Sequence, residues 1–135
     1  VISLSDYFGP YAEHPDATPE RWASAAELLD RVNRLLERAT GDGVVLNPNR
    51  ATGTLVSGAG NGGFRPQNCP VGAARSSHKL ARAVDIADPS QNLDGWLTDA
   101  ILREFGLYRE HPDYTPNWCH LQDKAPPSGR STFRP

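Results

Sequence analysis

Two stretches, Ser76-Ser77-His78-Lys79-Leu80-Ala81-Arg82-Ala83-Val84-Asp85-Ile86 and Trp118-Cys119-His120-Leu121-Gln122, combine β-forming residues with two of the four histidines and an aspartate. Side chains alternate across a strand. Ala83 and Asp85 therefore share one face while Val84 and Ile86 take the other. In the second stretch Trp118, His120 and Gln122 share a face, and Cys119 and Leu121 turn inward. If the two strands are neighbours, Asp85 and His120 meet on one sheet face. His78 lies a short turn before Asp85 and can fold its imidazole over the same spot. Two imidazoles and one carboxylate suit a catalytic Zn²⁺, because three protein ligands leave the fourth tetrahedral position to water. The same residues also fit a turn-capping aspartate with two surface histidines.

Outward from these strands the pattern is mixed. Thr18-Pro19 has the form of an N-cap with a first-turn proline, and Gly41 is a natural stop. Between them Ala25, Leu28, Leu29, Val32, Leu35, Leu36 and Ala39 recur at helical spacing, which predicts a long amphipathic helix. Leu93, Trp96, Leu97, Ala100, Ile101 and Phe105 predict a second, shorter helix ending at Gly106. Trp22 and Trp96 lie on these helical patterns and read as structural. β-rich runs at Val44–Leu46, Thr54–Ser57, Ala83–Ile86, Leu107–Arg109 and Trp118–Leu121 complete the pattern. The expected fold is α+β: a small, mostly antiparallel sheet with a long N-terminal helix and a second helix packed on it. The last two strands, separated by His111-Pro112-Asp113-Tyr114-Thr115-Pro116, should form a hairpin. One domain over residues 1–135 is expected, with 124–135 as an extended tail lying over the domain or loose in solvent.

Bulk properties remove some functions. With 14 Lys+Arg against 16 Asp+Glu, net −2, binding to nucleic acid through counter-ion release is disfavoured. No run approaches the roughly 18 apolar residues of a membrane span. The first residues lack the basic and long apolar regions of a signal peptide, and Met is absent, so the terminus does not decide export. Cys69 and Cys119 have no paired spacing; a disulfide and two free thiols are both open. A monomer is expected. Gly58-Ala59-Gly60-Asn61-Gly62-Gly63 contains Gly-x-Gly-x-x-Gly, but Phe64-Arg65-Pro66 opens no amphipathic helix and no βαβ unit surrounds it. It reads as a flexible rim loop rather than a dinucleotide site.

The segment from Ser76 to Asp85 resembles the Ser-x-His-x-x-Gly-x-Ala-x-Asp motif of the zinc D-Ala-D-Ala carboxypeptidase family, and Trp118-Cys119-His120 resembles that family's later Trp-x-His. Upstream, Ser57-Gly58 with Gly63-Phe64-Arg65-Pro66 and Asn68 are similar to its Ser-Gly-Tyr-Arg segment, interrupted by a glycine-rich insertion. The resemblance runs loosely from the first long helix to about Gln122. It implies the hedgehog/DD-peptidase fold, Zn²⁺ on His78, Asp85 and His120, and hydrolysis of a peptide bond in bacterial peptidoglycan by metal-activated water. D-Ala-D-Ala carboxypeptidases and murein endopeptidases, including phage endolysins, are among the relatives. Such an enzyme would act in the periplasm or cell wall on a peptidoglycan peptide.

Two positions depart from the motif. Ala81 stands where glycine is usual, and a left-handed backbone would cost it about 1 kcal/mol. Asn117 stands where bacterial dipeptidases carry their catalytic glutamate, and an amide cannot accept a proton from water. The hedgehog arrangement instead places a glutamate at the end of the preceding strand, which corresponds to Glu110 here. Glu110 is then either the base or a solvated strand-end charge, with Asp113 the weaker candidate. Arg65 offers forked donors to a substrate carboxylate or oxyanion, or forms an ion pair. Ser76 is a candidate to bond a metal ligand, and Trp118 to line the pocket. The competing expectation is an inactive, zinc-stabilised binding or phage structural module of the same fold.

Overall fold

The computed structural model describes all residues 1–135. Its first element, α1 (Leu4–Phe8), is set by a capping box: the Ser3 hydroxyl accepts from the Asp6 amide at 3.0 Å, and Asp6 accepts in return from the Ser3 amide. This helix was not expected, since five residues are too few to show a period. It matters because it buries Tyr7 and Phe8. The Tyr7 hydroxyl donates to the Ala83 carbonyl at 2.9 Å, tying α1 to the first strand.

The long helix α2 (Pro19–Gly41) is capped by Thr18 and buries Ala25, Leu28, Leu29, Val32, Leu35, Leu36 and Ala39, the seven residues of the expected stripe. Each fully buried leucine there contributes about 2 kcal/mol. The expected second helix is divided in two, α3 (Asn92–Trp96) and α4 (Asp99–Phe105). Thr98 is the cause. Its hydroxyl accepts from the Ile101 amide at 3.2 Å, and its extended backbone starts a new helix where the apolar period alone would have continued the old one.

Four strands, β1 (Ala83–Ala87), β2 (Tyr108–Glu110), β3 (Trp118–Gln122) and β4 (Thr132–Phe133), form one sheet in the order β1-β3-β2-β4. β3 pairs antiparallel with β1 and with β2, the latter being the expected hairpin. β4 joins β2 in parallel. The sheet is therefore mixed, which corrects the expectation of a mostly antiparallel one. Its fourth strand comes from the C-terminal segment, which lays Thr132 and Phe133 against the β2 edge; His111 and Arg109 donate their amides to Phe133 and Ser131 at 2.7 Å.

Val44–Leu46 and Thr54–Ser57 are not strands. A turn over residues 49–53 lies between them, in which the Asn49 carbonyl accepts from the Thr52 and Gly53 amides. Residues 55–57 still cover the free edge of β1 through one bridge, Val56 to Ile86, and two backbone bonds. A single apolar cluster joins α1, the α2 stripe, Val84, Ile86, Cys119 and Leu121. The opposite face of β1 and β3 is left to the polar side chains.

Candidate metal centre

The β1–β3 register sets Asp85 directly across from His120. His120 Nδ1 lies 2.9 Å from Asp85 Oδ1. His78 reaches the same oxygen from above, its Nε2 at 3.3 Å. It is carried on a short 3-10 turn, Ser77–Leu80, whose first amide turn is capped by Ser76: the Ser76 hydroxyl accepts from the His78 amide at 3.2 Å. The turn ends at Ala81 with φ 57° and ψ 38°. The left-handed conformation that glycine would supply is thus kept by an alanine, at a cost of about 1 kcal/mol.

One donor atom from each of His78, Asp85 and His120 lies within 4.8 Å of the others, and all three residues are buried. The outward nitrogen of each ring is occupied. His78 Nδ1 donates to the Gly63 carbonyl at 2.8 Å, and His120 Nε2 donates to Gln122 Oε1 at 2.8 Å. Gln122 is itself oriented, since its Nε2 donates to the Lys124 carbonyl at 2.6 Å. With the outward nitrogens protonated, both neutral rings turn lone pairs inward, against a carboxylate oxygen. Three lone pairs converging in a buried space require a cation, either protons on the imidazoles or a metal ion, and this donor set fits zinc.

The electrostatics agree. Burial opposes the charge of Asp85, but the His78 charge and the hydrogen bonds from His120 and His78 outweigh it and hold its carboxyl well below the usual range. Burial likewise opposes the cation of His120, while its bond to Asp85, the Asp85 charge, Gln122 and Glu110 together raise its pKa. The second oxygen of Asp85 takes a hydrogen bond from Arg65 Nη2 at 3.2 Å, and Arg65 Nε donates to the Asn61 carbonyl at 2.7 Å. Arg65 is therefore bound to a candidate ligand, the ion-pair alternative, although it also lines the cleft.

Glu110 ends β2 beside the group, with Oε2 3.6 Å from His120 Nδ1. Asp113 does not join it. That carboxylate pairs with Arg134 at 3.5 Å and is exposed. Asn117 lies away from the three donors, lining a neighbouring depression with its backbone carbonyl on the Asp88 amide. The cleft over the centre has a volume of about 760 Å³, and Ser76, Trp118 and Phe133 are among its walls. Phe133 stands edge-on to His120, centroids 6.2 Å apart.

The glycine run begins exposed, at Gly58 and Ala59, but its end is packed. Gly62 and Gly63 are buried, and a Cβ on Gly63 would lie 1.9 Å from the Tyr7 carbonyl oxygen. The Gly62 carbonyl accepts from the Asp85 amide at 2.7 Å, so this segment braces two ligands at once. Cys69 and Cys119 are free thiols, both buried, and Cys119 faces the core. Sequence reasoning missed Gln122 and Gly63 as supports. Gln122 was legible in part, because it shares the His120 face; Gly63 acts through its backbone, which leaves no side-chain signal.

Compared with family models, with curated proteins and with solved structures, the chain gives no significant match. No helix is long and apolar enough to cross a membrane.

Proposed function

We propose that this chain is a zinc peptidase of hedgehog/DD-peptidase type that hydrolyses a peptide bond in bacterial peptidoglycan. The observation that carries the reading is the convergence of His78, Asp85 and His120 on one buried point with a fourth ionisable group, Glu110, beside it. The motif resemblance of Ser76–Asp85 and Trp118–His120 supports the substrate class. A zinc ion there would lower the pKa of a water towards about 7 and polarise the scissile carbonyl.

The protein's own part is to fix and to move protons. Gly63 and Gln122 fix the imidazole tautomers, and Arg65 holds Asp85 in place. Hydrolysis adds the water oxygen to the acyl carbon and breaks the C–N bond. Glu110 takes the water proton and returns it to the departing nitrogen. Trp118 and Phe133 supply apolar walls for the peptide.

Mass spectrometry of peptidoglycan fragments incubated with zinc-loaded protein tests this reading. Cleavage products that disappear after chelation and return with zinc are expected. Intact fragments from protein that holds one equivalent of zinc would instead establish the zinc-stabilised binding module.

A further inference from the structure

The one polar contact of the Glu110 carboxylate is with His120 Nδ1 at 3.6 Å, too long for a hydrogen bond. Its place is therefore set by its backbone. β3 does not supply that hold, since it pairs with Tyr108 and Arg109 and stops one residue short of Glu110. The strand partner of Glu110 is Phe133 in β4. The amides on either side of it, those of Arg109 and His111, donate at 2.7 Å to the Ser131 and Phe133 carbonyls of the C-terminal segment.

β4 has only two residues, and so short a strand at a sheet edge frays unless its side chains hold it. Thr132 does so twice. Its hydroxyl accepts from Arg109 Nε at 3.0 Å and donates to Asp99 Oδ1 at 2.7 Å, which joins β4 to β2 and to the start of α4. The same guanidinium reaches α3, with Nη1 donating to the Asp94 carbonyl at 2.8 Å and to Asp94 Oδ1 at 3.3 Å. By contrast, the pairing of Arg134 with Asp113 at 3.5 Å is exposed and contributes little. Arg109 and Glu110 are neighbours in a strand, so their side chains leave on opposite faces. Pinning the guanidinium behind the sheet directs the carboxylate to the face that carries Asp85 and His120. On that face Phe133, the partner of Glu110, stands edge-on to His120.

We infer that Thr132 is a positioning residue: its hydroxyl, shared between Arg109 and Asp99, locks β4 onto β2 and thereby holds Glu110 beside the three donors. The C-terminal segment then belongs to the site. The inference rests on Glu110 being the proton-transfer group of the peptidase reading, but the placement is testable without turnover.

Thr132→Val removes the hydroxyl and keeps the β-branched shape, whereas Thr132→Ser keeps the hydroxyl. Cobalt(II) loaded in place of zinc reports the surroundings of the metal through its visible absorption. At one fixed pH, Glu110→Gln should change that spectrum, Thr132→Val should change it in the same direction at unaltered metal stoichiometry, and Thr132→Ser should leave it as in the unaltered protein. Added to Glu110→Gln, Thr132→Val should have no further effect, because the two act through one group. In turnover of peptidoglycan fragments, Thr132→Val should lower kcat about 10–100-fold with KM within about two-fold. Where Thr132→Val does not fold, Asp99→Ala takes its place, since it removes only the acceptor of the hydroxyl. No uptake of cobalt, a spectrum unmoved by Glu110→Gln or by Thr132→Val (or by Asp99→Ala in its stead), a Thr132→Ser spectrum like that of Thr132→Val, a full Thr132→Val effect in the Glu110→Gln background, or an unchanged kcat would each overturn the inference; cleavage by unaltered protein would still leave the peptidase reading standing. Coupled spectra without any cleavage would keep the positioning role and remove the peptidase.

Discussion

His78 Nε2 and His120 Nδ1 both face Asp85 Oδ1, at 3.3 and 2.9 Å, although they arrive from a 3-10 turn and from the partner strand. That shared oxygen makes the centre an all-or-none arrangement. His120→Ala should lower zinc content from near one equivalent to a small fraction, read by metal analysis of dialysed protein. Cys119→Ala, one residue away but facing the core, should leave the stoichiometry unchanged. Zinc retained in full by His120→Ala would remove the ligand assignment.

The shared oxygen also sets a pH window for the metal-free protein. Asp85 is held below its ordinary 3.8, and His120 above its ordinary 6.5. A depressed carboxyl stabilises the fold above its unfolded pKa and loses that contribution as pH falls through the folded value. A raised imidazole stabilises below its unfolded pKa and loses it as pH rises through the folded value. Both contributions are complete between these ordinary values of 3.8 and 6.5. Chelator-treated protein should therefore lose Tm as pH climbs past the elevated His120 pKa. Zinc replaces the imidazole proton, so the loaded protein should keep its Tm there. Identical alkaline limbs with and without zinc would contradict this.

Gln122 holds the His120 tautomer through one 2.8 Å bond. Gln122→Leu removes the acceptor and should reduce zinc affinity about 10–100-fold. Gln122→Glu keeps an acceptor in the same place and should restore most of it. A competition titration with a chromogenic chelator distinguishes the two. Equal affinities in Leu and Glu variants would show that Nε2 needs no partner.

How far the sequence could foretell this follows from what each feature depends on. Strand alternation placed Asp85 and His120 on one face because the period of two is local and sterically enforced. The α2 stripe was legible for the same reason, over many more residues. β4 was not, since two residues have no period, and its pairing is decided by the Ser131 and Phe133 carbonyls meeting β2. The break between α3 and α4 was signalled by Thr98, a residue that favours caps, but apolar spacing runs straight through it. The packing of Gly63 was hidden because it depends on Tyr7, in a helix too short to detect.

Gly63→Ala should test that packing. The new methyl group would meet the Tyr7 carbonyl, and backbone cannot yield as a side chain can. A cost of about 1–3 kcal/mol is expected from overpacking, together with weaker zinc binding as the carbonyl that fixes His78 moves. Gly95→Ala is the control. Its Cβ meets nothing within 4 Å inside α3, and it should stabilise by about 0.5–1 kcal/mol. Thermal unfolding of both variants, with zinc titration of the first, gives the comparison.

Glu110 ends β2 and Asp113 lies in the turn that follows, yet only one is placed for proton transfer. Glu110 Oε2 lies 3.6 Å from a candidate ligand atom, whereas Asp113 is drawn to Arg134 on the exposed side. A general base must lie within hydrogen-bond reach of the proton it takes, directly or through one water. Glu110→Gln keeps the shape of the side chain and removes its basicity, so kcat should fall about 10²–10⁴-fold with zinc stoichiometry intact. Asp113→Asn should leave kcat within about two-fold, because it alters only its ion pairs with His111 and Arg134, away from the three donors. Equal turnover of peptidoglycan fragments by Glu110→Gln and unaltered protein would dismiss Glu110 as the base. Loss of zinc from Glu110→Gln would make it a fourth ligand, closing the position that the attacking water needs.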